Sequence, residues 1–312
     1  MKIKERPTHS PAGFLRKMQM SKHRVWILVE GIFDVPFYGQ LCDNNKFLRK
    51  EIYTIALAKE LPNFSGDGKQ NLLSIYRYLN RRKALKNTLE GKEAIVLFII
   101  DKDIDDIERT KVRSSHVLYT EYHSLENYLF RFGNLSSALS SAACLDVRLV
   151  RKRVGKESFA WTQKAAENWN LWVEYCLLVR KLKIENAKNY GETKSLMHSG
   201  AYSQCNEMKR KHLLRKAMRD SGLTDSKFNI AFKRVKKYVC RLYSQGNHDI
   251  IFKGEWYTKF LVQDAREIAG SRQYNSRRLE KRLLPCLLAT LDYNGSWADY
   301  FHHAIEQLIK TV

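Results

Sequence analysis

The sequence predicts an α/β fold, a mostly parallel sheet with flanking helices, followed by a basic and mostly helical region. Three observations predict it. Between residues 23 and 130, short apolar runs alternate with segments of helical spacing in the order β-α-β-α-β-β-α. One run, Ala94 to Ile100, is apolar throughout, as expected of a central strand covered on both sides. Beyond residue 131 the strand-like runs give way to long helical patterns rich in Lys and Arg.

The elements follow in order. Residues 1–22 are basic, carry Pro7 and Pro11, and read as an N-terminal arm or a short helix. Arg24 to Val29 is apolar with β-branched members and reads as a strand ending at Glu30-Gly31. A helix is expected from Asp34, with Asp34 as its N-cap and Pro36 in its first turn. Ile52 to Leu57 reads as a second strand, and Leu61 to Lys69, with Pro62, Gly66 and Gly68, as a loop. Asn71 to Leu85 has helical spacing, with Leu72, Ile75, Tyr76 and Leu79 on one stripe. Ala94 to Ile100 is the third strand and Val117 to Tyr119 the fourth. Ser124 caps a helix carrying Leu125, Tyr128 and Leu129. Trp161 to Lys183, Gln204 to Arg219 and Lys227 to Leu242 then read as helices. The chain thus divides into the arm (1–22), a candidate metal-binding α/β domain (23–130) and a basic region for nucleic-acid binding or dimerisation (131–312).

Charge narrows the function. The chain has 55 Lys and Arg against 33 Asp and Glu, a net charge of +22. Residues 131–312 alone hold 33 basic and 17 acidic residues. Such a field favours a polyanionic partner, because each phosphate contact releases bound counterions. The basic residues recur at helical spacing as Lys209, Arg210, Lys211, Arg215 and Lys216, then Lys233, Arg234, Lys236 and Lys237. Any one run reads as a solvated helix face; as a set they read as a surface for a nucleic-acid backbone, with Tyr238 and Tyr243 available for stacking. No apolar run is long enough to span a bilayer, so no membrane is expected. Six cysteines, no two closer than 29 residues, behind a polar N-terminus read as reduced thiols in a cytoplasmic protein.

The acidic residues carry the chemistry. Glu30 ends the first strand, and Asp101, Asp103 and Asp105 follow the third. In a parallel sheet these ends share one edge, where ligands bind. Carboxylates gathered there repel one another unless a hard divalent cation, Mg2+ or Mn2+, lies among them. Asp101 and Asp103 face one side if their segment is extended, and Asp105 continues the row if it stays so. Lys253, in Gly246 to Gly254, is either a cation for a scissile phosphate or a surface lysine in a turn.

Glu30-Gly31-Ile32-Phe33-Asp34 followed by Asp101-Lys102-Asp103 resembles the TOPRIM domain of topoisomerases, bacterial primases, recombination proteins and OLD-type nucleases. Tyr119 to Leu129, with Ser124-Leu125-Glu126-Asn127-Tyr128-Leu129, is similar to an OLD-like TOPRIM branch of anti-phage defence, the AriB-type effectors of PARIS systems. The resemblance covers about residues 24–130. It implies that Glu30 binds metal and acts in acid/base steps, and that Asp101 and Asp103 bind metal. Asp105 and Asp34 would be auxiliaries. Glu126 would be a further ligand, or else a first-turn acid favoured by the helix dipole. The implied activity is a metal-dependent nuclease, a toxic effector acting on RNA, tRNA above all, rather than DNA. The implied partner is an ABC-type ATPase of the AriA kind, and this chain has no G-x-x-x-x-G-K-[ST] of its own. A homodimer would let two basic halves embrace one substrate. The alternatives are a primase- or topoisomerase-like DNA-processing protein and a non-catalytic nucleic-acid-binding module.

Overall fold

In the computed structural model the chain forms an α/β fold, a mixed five-stranded sheet flanked by helices. The structure describes residues 10–48, 53–61, 68–89, 92–185, 187, 189–191, 197–198, 201–205, 207–270 and 276–310. Residues 1–9 of the expected arm, Ile52 of the second strand and residues 62–67 of the expected loop lie outside the described residues.

The elements are α1 (Pro11–Met20), β1 (Val25–Val29), α2 (Asp34–Asn44), β2 (Tyr53–Leu57), α3 (Gly68–Arg81), β3 (Lys86–Leu89), β4 (Lys92–Ile100), α4 (Asp105–Glu108), β5 (Val117–Tyr119), α5 (Leu125–Phe132), α6 (Leu135–Ala143) and α7 (Val147–Val154). They continue with α8 (Ser158–Asn168), α9 (Asn170–Lys181), β6 (Met197–His198), β7 (Ala201–Cys205), α10 (Glu207–Asp220), α11 (Asp225–Ser244), α12 (Glu255–Ala269), α13 (Ser276–Leu288) and α14 (Asp299–Lys310). The expected strands at 24–29, 52–57, 94–100 and 117–119 correspond to β1, β2, β4 and β5. The strand β3 and the β6–β7 hairpin were not expected. The single helix expected over 161–183 is two, α8 and α9, which meet at the buried Trp169.

The chain gathers into two units. Composition changes at residue 131, but the units divide elsewhere. The first holds residues 1–101, 112–120 and 292–312; the second holds 102–111 and 121–291.

In the first unit the strand order is β2-β1-β4-β3, and β5 also pairs with β4. The pairings of β1 with β2, β1 with β4, and β4 with β5 are parallel; β3 with β4 is antiparallel. Amide groups point alternately to the two edges of a strand, so the Ile95 N–H meets Arg24 while those of Val96 and Phe98 meet Leu85 and His116. Thus β3 and β5 share one edge of β4, end to end. Even-numbered residues Trp26, Leu28, Val96, Phe98 and Ile100 pack with Phe14 and Met18 of α1 and Leu72, Ile75, Tyr76 and Leu79 of α3. Odd-numbered Val25, Ile27, Val29, Ile95, Leu97 and Ile99 are equally buried. The central strands β1 and β4 are therefore covered on both faces. The C-terminal α14 joins this unit: Phe301 packs on Phe37 and Tyr38 of α2, and Asn45 hydrogen-bonds His302 at 3.1 Å.

The second unit is helical around aromatic side chains. Trp169, Trp256 and Phe260 pack together, Tyr190 stacks on Trp256, and Phe252 stacks on Tyr257. The helix α9 lies against α10 and α11, and Trp172 to Val179 along it are all buried.

Candidate functional site

Glu30 follows β1 and Asp101 follows β4, two neighbouring parallel strands of the first unit. Their registers bring the carboxyl ends level: Leu28 lies opposite Phe98, so Glu30 lies level with Ile100. The Asp101 N–H donates to Glu30 Oε1 at 3.2 Å. Asp34 was expected to cap α2. Instead its carboxylate turns back and accepts the N–H groups of Glu30 and Gly31, at 3.1 and 2.8 Å. The Asp34 carboxylate gives both amides at the strand end an acceptor. The turn bearing Glu30 is thereby held.

Two residues of this site carried no sequence signal that singled them out. Gly68 opens α3 with φ +49°, and a Cβ there would lie 3.5 Å from Glu30 Oε2. Lys69 donates from Nζ to the Asp101 carbonyl at 2.6 Å, with its ammonium 5.9 Å from the Tyr119 ring centre. Sequence reading placed both in a loop. The available hint was the Gly-Lys pair at the mouth of an amphipathic helix, because helix N-termini attract anions.

The other predicted ligands stand in the second unit. The segment after Asp101 does not stay extended. Asp103 has φ +50°, in the left-handed region, and Asp105 begins the short helix α4. The row of three aspartates on one side therefore does not form. Asp103 is held by His123: its N–H donates to the His123 carbonyl at 2.7 Å, and its carboxylate lies 3.6 Å from the ring nitrogen Nδ1. Burial pushes the neighbouring Lys102 ammonium down to about 8, although Asp106 and Glu121 favour its charge. Lys102 donates to the Glu121 carbonyl.

Glu126 sits in the first turn of α5, as a first-turn acid would, and accepts a hydrogen bond from Ser124 Oγ at 2.6 Å. Lys253 pairs with Glu255. The stretch 246–254 has a structural centre that sequence reading missed, Asp249. It is fully buried and accepts from Arg131 Nη1, Asn127 Nδ2 and the Tyr257 hydroxyl, each at 2.9 Å. Its carbonyl takes the His123 N–H at 2.8 Å. His248 is also fully buried and stacks on Phe159. Burial lowers its pKa, against the opposing pull of Asp249. Gly254 packs so closely on α5 that a Cβ there would lie 2.7 Å from the Asn127 nitrogen.

Of the expected backbone-binding residues, Lys209, Lys211, Arg215, Lys216, Lys233, Arg234, Lys236 and Lys237 are exposed. Arg210 is not: it turns inward, 3.9 Å from the buried carboxylate of Glu174. A buried carboxylate needs a nearby cation, and α10 lies against α9 where Glu174 stands.

Glu30 and Asp101 offer oxygen donors of the kind that hard divalent cations take, and Gly68 keeps the space beside Glu30 clear of a side chain. Among the described residues no three or more His, Cys, Asp or Glu side chains are gathered to hold a metal. Nor, among those residues, is any helix long and apolar enough to cross a membrane. The chain matches no family model, and no curated protein matches it.

Proposed function

We propose that this chain is a divalent-metal-dependent nuclease of the TOPRIM type, a toxic effector of a bacterial anti-phage defence system that cleaves RNA, with tRNA as the specific substrate. The observation that carries most weight is the pair Glu30 and Asp101, two carboxylates on neighbouring parallel strand ends, joined by the Asp101 N–H. One or two carboxylates plus substrate oxygens and water are the usual setting for Mg2+. Glu30 and Asp101 would hold Mg2+ or Mn2+, with Asp103, Asp105 and Glu126 as further carboxylates to test. The ion would supply Lewis-acid stabilisation of a phosphoryl oxygen and an acidified water. Asp34 fixes the backbone on which Glu30 stands, and Glu30 is the group suited to move a proton. Lys69, bound to the Asp101 carbonyl, brings a positive charge to the same strand end; Lys253, the other candidate cation, pairs with Glu255.

The net charge of +22 and the exposed lysines of α10 and α11 support a nucleic-acid substrate. The absence of a P-loop motif in the sequence leaves nucleotide hydrolysis to an ABC-type ATPase partner. A homodimer is the expected assembly. The test incubates purified protein, alone and co-expressed with such an ATPase, with tRNA, other RNA and DNA, in Mg2+ or EDTA, beside Glu30→Ala. Cleavage of tRNA that is lost in EDTA and in the variant is the expected result. Cleavage that survives Glu30→Ala removes the site.

A further inference from the structure

A cavity of about 440 Å³ in the second unit is lined by residues of α4, α9 and α11. Small-ligand sites generally fall between roughly 300 and 1,000 Å³. Ile107, Leu177 and Val235 are its apolar lining, and Leu177 and Val235 are buried. Tyr238 adds a half-buried aromatic ring. Arg109, Lys181 and Arg234 add three exposed cations, and among the described residues none of the three makes an ion pair. Arg109 ends α4 with φ +58°, a conformation uncommon for a side-chain-bearing residue. The one acid of the lining, Asp106, is already neutralised by Lys111 at 2.7 Å.

Helical spacing explains why these groups meet. Leu177 and Lys181 are four apart on α9, as are Arg234 and Tyr238 on α11, so each pair shares a face. Thus α9 contributes one cation and one apolar group, and α11 one cation, the apolar Val235 and the aromatic Tyr238. An aromatic ring beside aliphatic groups suits a planar base, and a cluster of guanidinium and ammonium groups suits a phosphate. An acidic peptide would use the cations and leave the apolar lining and the ring without a counterpart.

We infer that this cavity binds a nucleotide unit, base against Tyr238 and phosphate among Arg109, Lys181 and Arg234. The unit is either a free nucleotide or one residue of a single strand. The site requires neither a metal nor cleavage, so it stands apart from the nuclease reading.

The test is run in EDTA on the full chain. AMP is titrated by calorimetry, and a fluorescein-labelled single-stranded hexa-adenylate is followed by polarisation. Arg109→Ala/Lys181→Ala/Arg234→Ala should weaken binding at least tenfold. Tyr238→Ala should weaken it roughly tenfold, as loss of one stacked base does, while Tyr238→Phe stays within about twofold. Lys152→Ala/Lys156→Ala, exposed lysines outside the cavity lining, serves as the charge control, and circular dichroism confirms folding of each variant. AMP that binds and displaces the labelled strand identifies a free-nucleotide site. Strand binding alone, with the same dependence on Tyr238, identifies a site for one residue of a nucleic acid. The inference is overturned if neither probe binds. It is equally overturned if the triple variant and Tyr238→Ala bind like the wild type, or if a hexaglutamate peptide displaces the strand as well as AMP does.

Discussion

The main-chain N–H of Asp101 donates to the Glu30 carboxylate at 3.2 Å, tying together the ends of two neighbouring parallel strands. Glu30→Gln keeps an acceptor for that N–H and removes the charge; Glu30→Ala removes both. Glu30→Gln should melt close to wild type, while Glu30→Ala loses about 1 kcal/mol, the net worth of one such hydrogen bond. Both should abolish metal-dependent cleavage. Full activity in Glu30→Gln would mean that the carboxylate is only a structural acceptor.

Lys69 reaches the same strand end. Lys69→Met keeps an unbranched side chain of similar length and removes the ammonium from the Asp101 carbonyl and from beside Tyr119. Removing one group that stabilises developing charge costs about a hundredfold or more in turnover. Single-turnover cleavage rates at saturating Mg2+ should show a fall of that order, with the melting temperature little changed. An unchanged rate would reduce Lys69 to an anchor of α3.

The Asp249 centre is a stability device. Asp249→Ala leaves Arg131, Asn127 and Tyr257 without their shared acceptor in a buried setting. Breaking a buried ion pair from one side costs about 3–5 kcal/mol, so urea unfolding should shift by that amount. A loss under about 1 kcal/mol would show that water replaces the carboxylate.

His248 makes stability fall with acid. Burial disfavours its charged form, so its folded pKa lies below the ordinary value of 6.5. Below pH 6.5 the unfolded chain takes up the proton first, and stability falls as pH drops from 6.5 toward the lowered folded value. His248→Phe keeps a ring against Phe159 and removes the proton site. Melting temperatures of both proteins between about pH 5 and 8 should converge toward the acid end, to the variant's relative advantage. A constant difference across that range would count against the burial effect.

The two kinds of arginine and lysine on α10 and α11 should separate by salt. Replacing exposed Lys211, Lys216, Lys236 or Lys237 by Ala should flatten the dependence of log affinity on log salt by about 0.7–0.9 for each phosphate interaction removed. Arg210→Ala should leave that slope unchanged and destabilise the fold, because Glu174 is buried beside it. Polarisation with tRNA across a salt series, and thermal melts, distinguish the two outcomes.

Several features were legible because their cause is local. β1 and β4 stand out because a run of consecutive apolar residues flanked by polar ones forms a strand buried on both faces. Ser124 caps α5 as expected, with the Asn127 side chain accepting its N–H at 3.0 Å. Glu30 and Asp101 were legible because a parallel sheet sends the ends of its strands to one edge.

What the sequence by itself determined is therefore the alternation of strands and helices, the basic surface and the placement of two carboxylates. Only the tertiary structure decided the rest. β3 is four residues long and partly polar, and becomes a strand by pairing with β4. Lys69 meets Asp101 from 32 residues away, and Asn45 meets His302 from 257 away, which no short-range pattern encodes. Arg210 lies among lysines of similar spacing, yet it turns inward because Glu174, on the neighbouring helix α9, is buried there. Asp249 reads as a loop acid until Arg131, Asn127 and Tyr257 close around it. Periodicity and capping act over a few residues, whereas a buried charge is specified by whichever distant groups offset its loss of water.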